Sequence, residues 1–132
     1  MNESGLRFPE AEARSLEARE FDLPGDLEGE LNLLAVAFQR RHQSDVDSWA
    51  KDFASLEETR KGLFTYEIPT LSRRWTPARR FIDGGMASAI SDQKTRSRTL
   101  TFYGDVGLVS DSLGLPDREE IAVVLCGRDG KA

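Results

Sequence analysis

Two periods of apolar residues divide the chain. The run Leu31-Asn32-Leu33-Leu34-Ala35-Val36-Ala37-Phe38 is nearly unbroken and of strand length, the pattern of an interior strand covered on both faces. A helical period follows: Val46, Trp49, Ala50, Phe53 and Leu56 recur at three- and four-residue steps. Ser44 is the expected N-cap, with Asp45 and Asp47 in the first turn where a helix dipole favours negative charge, and the helix should end near residues 59–62. Residues 63–68 alternate and are rich in β-formers. Pro69 is expected to stop that strand by removing a ladder donor.

Thr76-Pro77 predicts a second helix, continued at helical spacing by Ala78, Phe81, Ile82, Met86, Ala89 and Ile90. Gly84-Gly85 inside it costs about 1 kcal/mol per glycine relative to alanine, so a bend, a break or close packing is expected there. Residues 99–103 alternate again as a third parallel strand, and residues 106–115 have room for a short helix. Pro116-Asp117 reads as a turn, residues 120–126 as a last buried strand, and residues 127–130 as a hairpin turn without a returning strand. Upstream, the partial alternation of residues 13–24, with Leu16, Ala18 and Phe21 on one side, predicts a half-exposed hairpin ended by Pro24-Gly25.

Strands alternating with helices imply right-handed crossovers and a mixed or parallel sheet with helices on its faces. With 132 residues, 39% hydrophobic and 31% charged, the expected organisation is a flexible segment over residues 1–12 and a single α/β domain over residues 13–132. No run approaches the roughly 18 apolar residues of a membrane span, and the acidic start lacks the apolar core of a secretory signal. One cysteine, Cys126, excludes an internal disulfide and makes a reducing, cytoplasmic setting the expectation.

The formal net charge of −5 is unevenly spread. Residues 1–30 hold nine acidic and three basic side chains, whereas residues 73–98 hold seven basic and two acidic ones. The basic stretch is a candidate face for acidic peptide, phosphate or lipid headgroups, while the acidic whole argues against nucleic acid as a partner.

Candidate chemistry is sparse. Arg40, Arg41 and His42 precede a helix start, where free amides favour anions, but the glycines of a phosphate loop are missing. His42, Asp45 and Asp47 are poorly spaced for a metal, because the two carboxylates face different sides of a helix. The aromatics Trp49, Phe53, Trp75, Phe81 and Tyr103 are expected mostly in the core, with Trp75, beside Arg73 and Arg74, the candidate for an exposed anchor. There is no Gly-x-Ser-x-Gly elbow and no zinc-ligand pair, so no catalytic residue, metal or cofactor is assigned.

From Leu23 onward the chain resembles the thioredoxin-like superfamily in its peroxiredoxin-related form. The residues carrying this are Asp22-Leu23-Pro24-Gly25-Asp26-Leu27-Glu28-Gly29, Val46-Asp47-Ser48-Trp49, Leu113-Gly114-Leu115 and Gly127-Arg128-Asp129-Gly130. Ala37-Phe38-Gln39-Arg40 and Val46-Asp47-Ser48-Trp49 are similar to the cysteine-poor branch that contains mitochondrial ATP synthase assembly factors and uncharacterised prokaryotic relatives. The resemblance implies a three-layer sandwich around a central mixed sheet. The family's last strand and helix are expected to be lacking, since this chain stops at Ala132. It also implies a reactive thiol near residues 43–46, where this chain has none, and a serine hydroxyl is not acidic enough to replace one.

The expectation is therefore a redox-inactive, non-enzymatic protein-binding, assembly or scaffold factor, with self-association as a homodimer among its forms. Its candidate surface is Arg40, Arg41, His42, Trp49, Arg73, Arg74 and Trp75. The alternatives are an unusual Cys126-dependent peroxidase or oxidoreductase and a small-ligand-binding protein.

Overall fold

Every residue from 31 to 37 is buried or half-buried, as an interior strand covered on both faces requires, and the sheet grows from it. A computed structural model describes residues 7–39, 42–115, 118–119 and 121–130; Arg40, Arg41 and the turn expected at Pro116-Asp117 lie outside the described residues. Six strands form one sheet: β1 (Ala11–Ser15), β2 (Glu20–Leu23), β3 (Leu31–Ala37), β4 (Leu63–Ser72), β5 (Leu100–Gly104) and β6 (Ala122–Cys126). Their order across the sheet is β2-β1-β5-β4-β3-β6. β3 runs parallel to β4 in the register Leu31↔Leu63 and antiparallel to β6 in the register Asn32↔Cys126. The expected parallel set of β3, β4 and β5 is present, and β1 joins it antiparallel to β5.

The helices are α1 (Gln43–Thr59), α2 (Arg79–Ala89), α3 (Gln93–Ser97) and α4 (Val106–Ser112), with a 3-10 helix at Arg73–Ala78. Leu34 and Val36 enter the larger apolar cluster with Tyr66, Ile68, Leu100 and Phe102, which Val109 and Leu113 of the α4 region complete. On the opposite face, Ala35 packs with Val46 and Phe53 of α1, backed by Leu33, Ala37 and Ile121. Side chains of this size each contribute about 1.5–3 kcal/mol when fully buried.

Several local expectations are corrected. α1 starts one position before Ser44. His42 takes the capping position with helical backbone angles (φ −71°, ψ −12°), and its own side chain forms no cap bond to the helix. β4 continues through Pro69 to Ser72. The proline is accommodated where the β4–β5 ladder is interrupted: pairing is present at Glu67↔Thr99 and resumes at Thr70↔Phe102.

α2 runs unbroken through Gly84 and Gly85, and a Cβ on either would meet nothing within 4 Å. Leu16 and Ala18 lie in the hairpin turn, Ala18 at φ 67°, so the inward side chains are Ala13, Ser15, Phe21 and Leu23. β6 is an edge strand rather than a buried one, with Val123 and Leu125 exposed. Residues 7–12, expected to be loose, include the buried Phe8, whose N–H donates to the Gly130 carbonyl at 2.8 Å, and the start of β1.

Candidate functional site

The crossover from β3 to α1 is built around His42. Its ring is fully buried. Nδ1 accepts hydrogen bonds from the backbone N–H groups of Phe38 (3.1 Å) and Gln39 (3.2 Å), and Nε2 lies 2.9 Å from the carbonyl oxygen of Glu119. Amides only donate and a carbonyl only accepts, so these partners fit an imidazole carrying its proton on Nε2. Both ring nitrogens are thus committed to main-chain groups, and His42 is a structural pin rather than the surface binding residue expected from sequence.

Above it lies a recess of about 470 Å³ lined by Phe38, Gln39, Ser110, Asp111, Leu115 and Arg118, with Glu119 at its rim. The Gln39 amide donates to the Arg118 carbonyl at 2.8 Å and to the Glu119 carboxylate at 3.2 Å, closing the recess over the histidine. Ser110 donates to the Gly107 carbonyl and accepts from Arg118. Its proton thus goes to a main-chain carbonyl rather than to a side-chain base.

Cys126 is elsewhere. It pairs with Asn32 in the β3–β6 register, five positions from Ala37, which puts it roughly 17 Å along the strand from the crossover. Burial, with the Asp129 carboxylate adding to it, pushes the thiol up to about 12. Such a sulfur is protonated at neutral pH and shielded from oxidants.

The basic stretch divides in two. Lys94 pairs with Glu57 at 2.9 Å, Arg98 also pairs with Glu57, Arg96 pairs with Glu17 at 3.0 Å, and Arg79 reaches Asp83 at 3.5 Å. Those four cations tie elements of the fold together. Arg73, Arg74 and Arg80 have no carboxylate partner among the described residues, and the same stretch of chain carries two exposed aromatics, Trp75 (46% exposed) and Phe81 (86%). The Arg74 guanidinium stands 5.4 Å from the Trp75 ring centre.

Trp49 is also exposed, on α1, its ring 6.1 Å from Phe53. Of the sequence candidates, Arg73, Arg74 and Trp75 come together on the 3-10 helix, Trp49 stands on α1, and His42 is withdrawn into the interior. Sequence reasoning missed Phe81 as a surface residue. The available signal was Phe81 followed at i+3 and i+4 by Gly84 and Gly85, which give its ring no neighbouring side chain to lean on.

No protein-family model and no curated protein matches the chain. Solved structures do. A thiol:disulfide interchange protein from Bacteroides sp. aligns over 96% of this chain and 76% of its own, with a TM-score of 0.62 and 20% identity. The thioredoxin domain of a thiol-disulfide oxidoreductase from Bacteroides vulgatus aligns over 96% and 83%, with a TM-score of 0.60 and 19% identity. A conserved protein of unknown function from Bacteroides fragilis aligns over 96% and 86%, with a TM-score of 0.55 and 11% identity. The fold is thioredoxin-like, an α/β arrangement with a six-stranded mixed sheet. No helix among the described residues is long and apolar enough to cross a membrane.

Proposed function

We propose that this chain is a redox-inactive, cytoplasmic thioredoxin-like protein that binds another polypeptide, in the manner of an assembly or scaffold factor. The finer reading is a three-layer sandwich of the cysteine-poor, peroxiredoxin-related kind. One observation carries the proposal: residues 43–46, where such a fold presents its nucleophile, hold no thiol, the neighbouring His42 has both nitrogens held by backbone groups, and the single thiol is buried at the other end of β3. An architecture stripped of its reactive group keeps its surfaces.

The surface that supports binding is the 3-10 helix and the outer side of α2. Trp75 and Phe81 offer aromatic area, and Arg73, Arg74 and Arg80 favour an acidic segment bearing apolar side chains. The test has two arms. Insulin-disulfide reduction and peroxide consumption should stay at background for the wild type and for Cys126→Ala; activity lost on that substitution would overturn the redox-inactive reading. Binding of an acidic, leucine-containing model peptide should weaken with salt and drop at least about tenfold in Arg73→Glu/Arg74→Glu, since rim charges of this kind govern steering and register. Unchanged binding would remove the basic surface from the proposal.

A further inference from the structure

Among the described residues the sheet has two unpaired edges, and they are defended differently. β2 carries Glu20 and Asp22, both exposed, between Arg19 and Pro24. Charges and a proline of this kind blunt an edge against pairing. β6 reads Ala-Val-Val-Leu-Cys, with no charged residue and no proline, and no strand among the described residues pairs with its outer side. Val123 and Leu125 are 37% and 48% exposed.

The apolar surface does not end at the strand. In α1, Phe53 points into the sheet, and Glu57 turns toward β4 and β5, where it accepts the Thr65 N–H and pairs with Lys94. Leu56, about 100° around the helix from Glu57, and Trp49, seven positions earlier on the same flank, therefore overlook the β6 side. Both are exposed, at 41% and 40%. Four of the seven large exposed hydrophobics among the described residues thus stand on β6 or on the flank of α1 that looks toward it. A contiguous apolar strip beside an unpaired edge is the signature of a surface made to be covered.

We infer that a second copy of this chain covers it, the two β6 strands pairing antiparallel about a twofold axis so that one sheet runs through both copies. Charge selects this occupant and this edge. In a twofold strand pair the residues at the axis meet their own copies, so a charged side chain there would face a like charge; β6 carries none. Each copy has a net charge of −5, and the exposed Glu12, Glu20 and Asp22 stand on β1 and β2. Four inter-strand steps from β1 and five from β2 place them roughly 19–24 Å from β6, more than two Debye lengths at physiological salt. Pairing through β6 puts the acidic hairpins at the far ends of the joint sheet, whereas pairing through β2 would bring them together. The flanks bearing Trp49 and Leu56 then close over the same axis.

Light scattering after size-exclusion chromatography, from micromolar to submillimolar protein, reads the oligomer. Hydrogen exchange at high and low concentration reads the surface. The wild type is expected to dimerise, with β6 amides gaining protection as concentration rises and β2 amides unchanged. Val123→Lys/Leu125→Lys replaces two exposed side chains with like charges near the axis and should weaken the dimer by roughly a hundredfold or more. Its circular dichroism and unfolding midpoint report that it is folded. Glu20→Ala/Asp22→Ala should leave the dimer intact.

A wild type monomeric throughout, a folded lysine variant that still dimerises, or protection gained at β2 instead of β6 would each overturn the inference. Arg73→Glu/Arg74→Glu should retain the dimer, so this inference and the peptide-binding reading can fail separately.

Discussion

The Tyr103 hydroxyl in β5 donates to Oδ1 of Asp83 in α2 at 2.7 Å, and this bond anchors a helix that buries no residue of its own. Oδ2 of the same carboxylate accepts from the Thr101 hydroxyl at 2.9 Å and faces Arg79, whose guanidinium also donates to the Thr101 carbonyl and lies 4.6 Å from the Tyr103 ring centre. Burial, followed by the bond to Asp83 and that carboxylate's charge, pushes the Tyr103 phenol well above its ordinary range. Four side chains thus do for α2 what an apolar stripe does for α1.

Removing the centre of that cluster should loosen α2. Asp83→Ala takes the acceptor from the Tyr103 hydroxyl and one of two acceptors each from the Thr101 hydroxyl and the Arg79 guanidinium, and should cost about 1–3 kcal/mol in urea unfolding. Tyr103→Phe removes one bond and should cost less. Both variants should also weaken acidic-peptide binding through Trp75 and Phe81, because the helix carrying Phe81 is no longer fixed.

Glu57 gives a stability term that depends on acid. Burial pushes its carboxyl up, but hydrogen bonds from Arg98, Lys94 and the Thr65 amide outweigh that, and the net shift is below the usual carboxylate value. A lowered folded-state value means stability that is full above the unfolded-chain value of about 4.3 and is lost as pH falls through the folded value. Glu57→Gln should be less stable than the wild type by about 1–2 kcal/mol at pH 7, the partly buried carboxylate being part of a charge-assisted set. The gap should narrow steadily in urea titrations taken below about pH 4. A gap that stays constant into acid would show that the charge is not what matters.

Gly84 and Gly85 are open to improvement. Each sits in regular helix, and an added Cβ would have no atom within 4 Å, so Gly84→Ala and Gly85→Ala should each stabilise the chain by about 0.5–1 kcal/mol. A rise of a few degrees in unfolding midpoint for each, adding in the double variant, is the expected reading.

The sequence determined a great deal that is local. The unbroken run at residues 31–38 and the alternation at residues 63–68 and 99–103 specify the parallel strands, because each side chain's apolar character requires a covered face. The stripe Val46, Phe53 and its neighbours specifies α1 for the same reason. The lack of a thiol at the crossover is equally plain from sequence. Tertiary structure decided the rest. Helical spacing puts Phe81 with Ile82 and Met86, but spacing does not say which side of a helix meets a sheet, and the Asp83 cluster turns Phe81 outward.

An apolar strand at residues 121–125 reads as interior, yet whether a strand is central or at an edge depends on which neighbours pair with it, and none of the described residues pairs with the outer side of β6. His42 reads as an exposed helix-start residue until the Glu119 carbonyl, 77 positions away, closes over its Nε2. Composition and period fix what each segment must bury. Only long-range pairing fixes which side chains remain for a partner, since exposure belongs to the assembled sheet and not to any one segment.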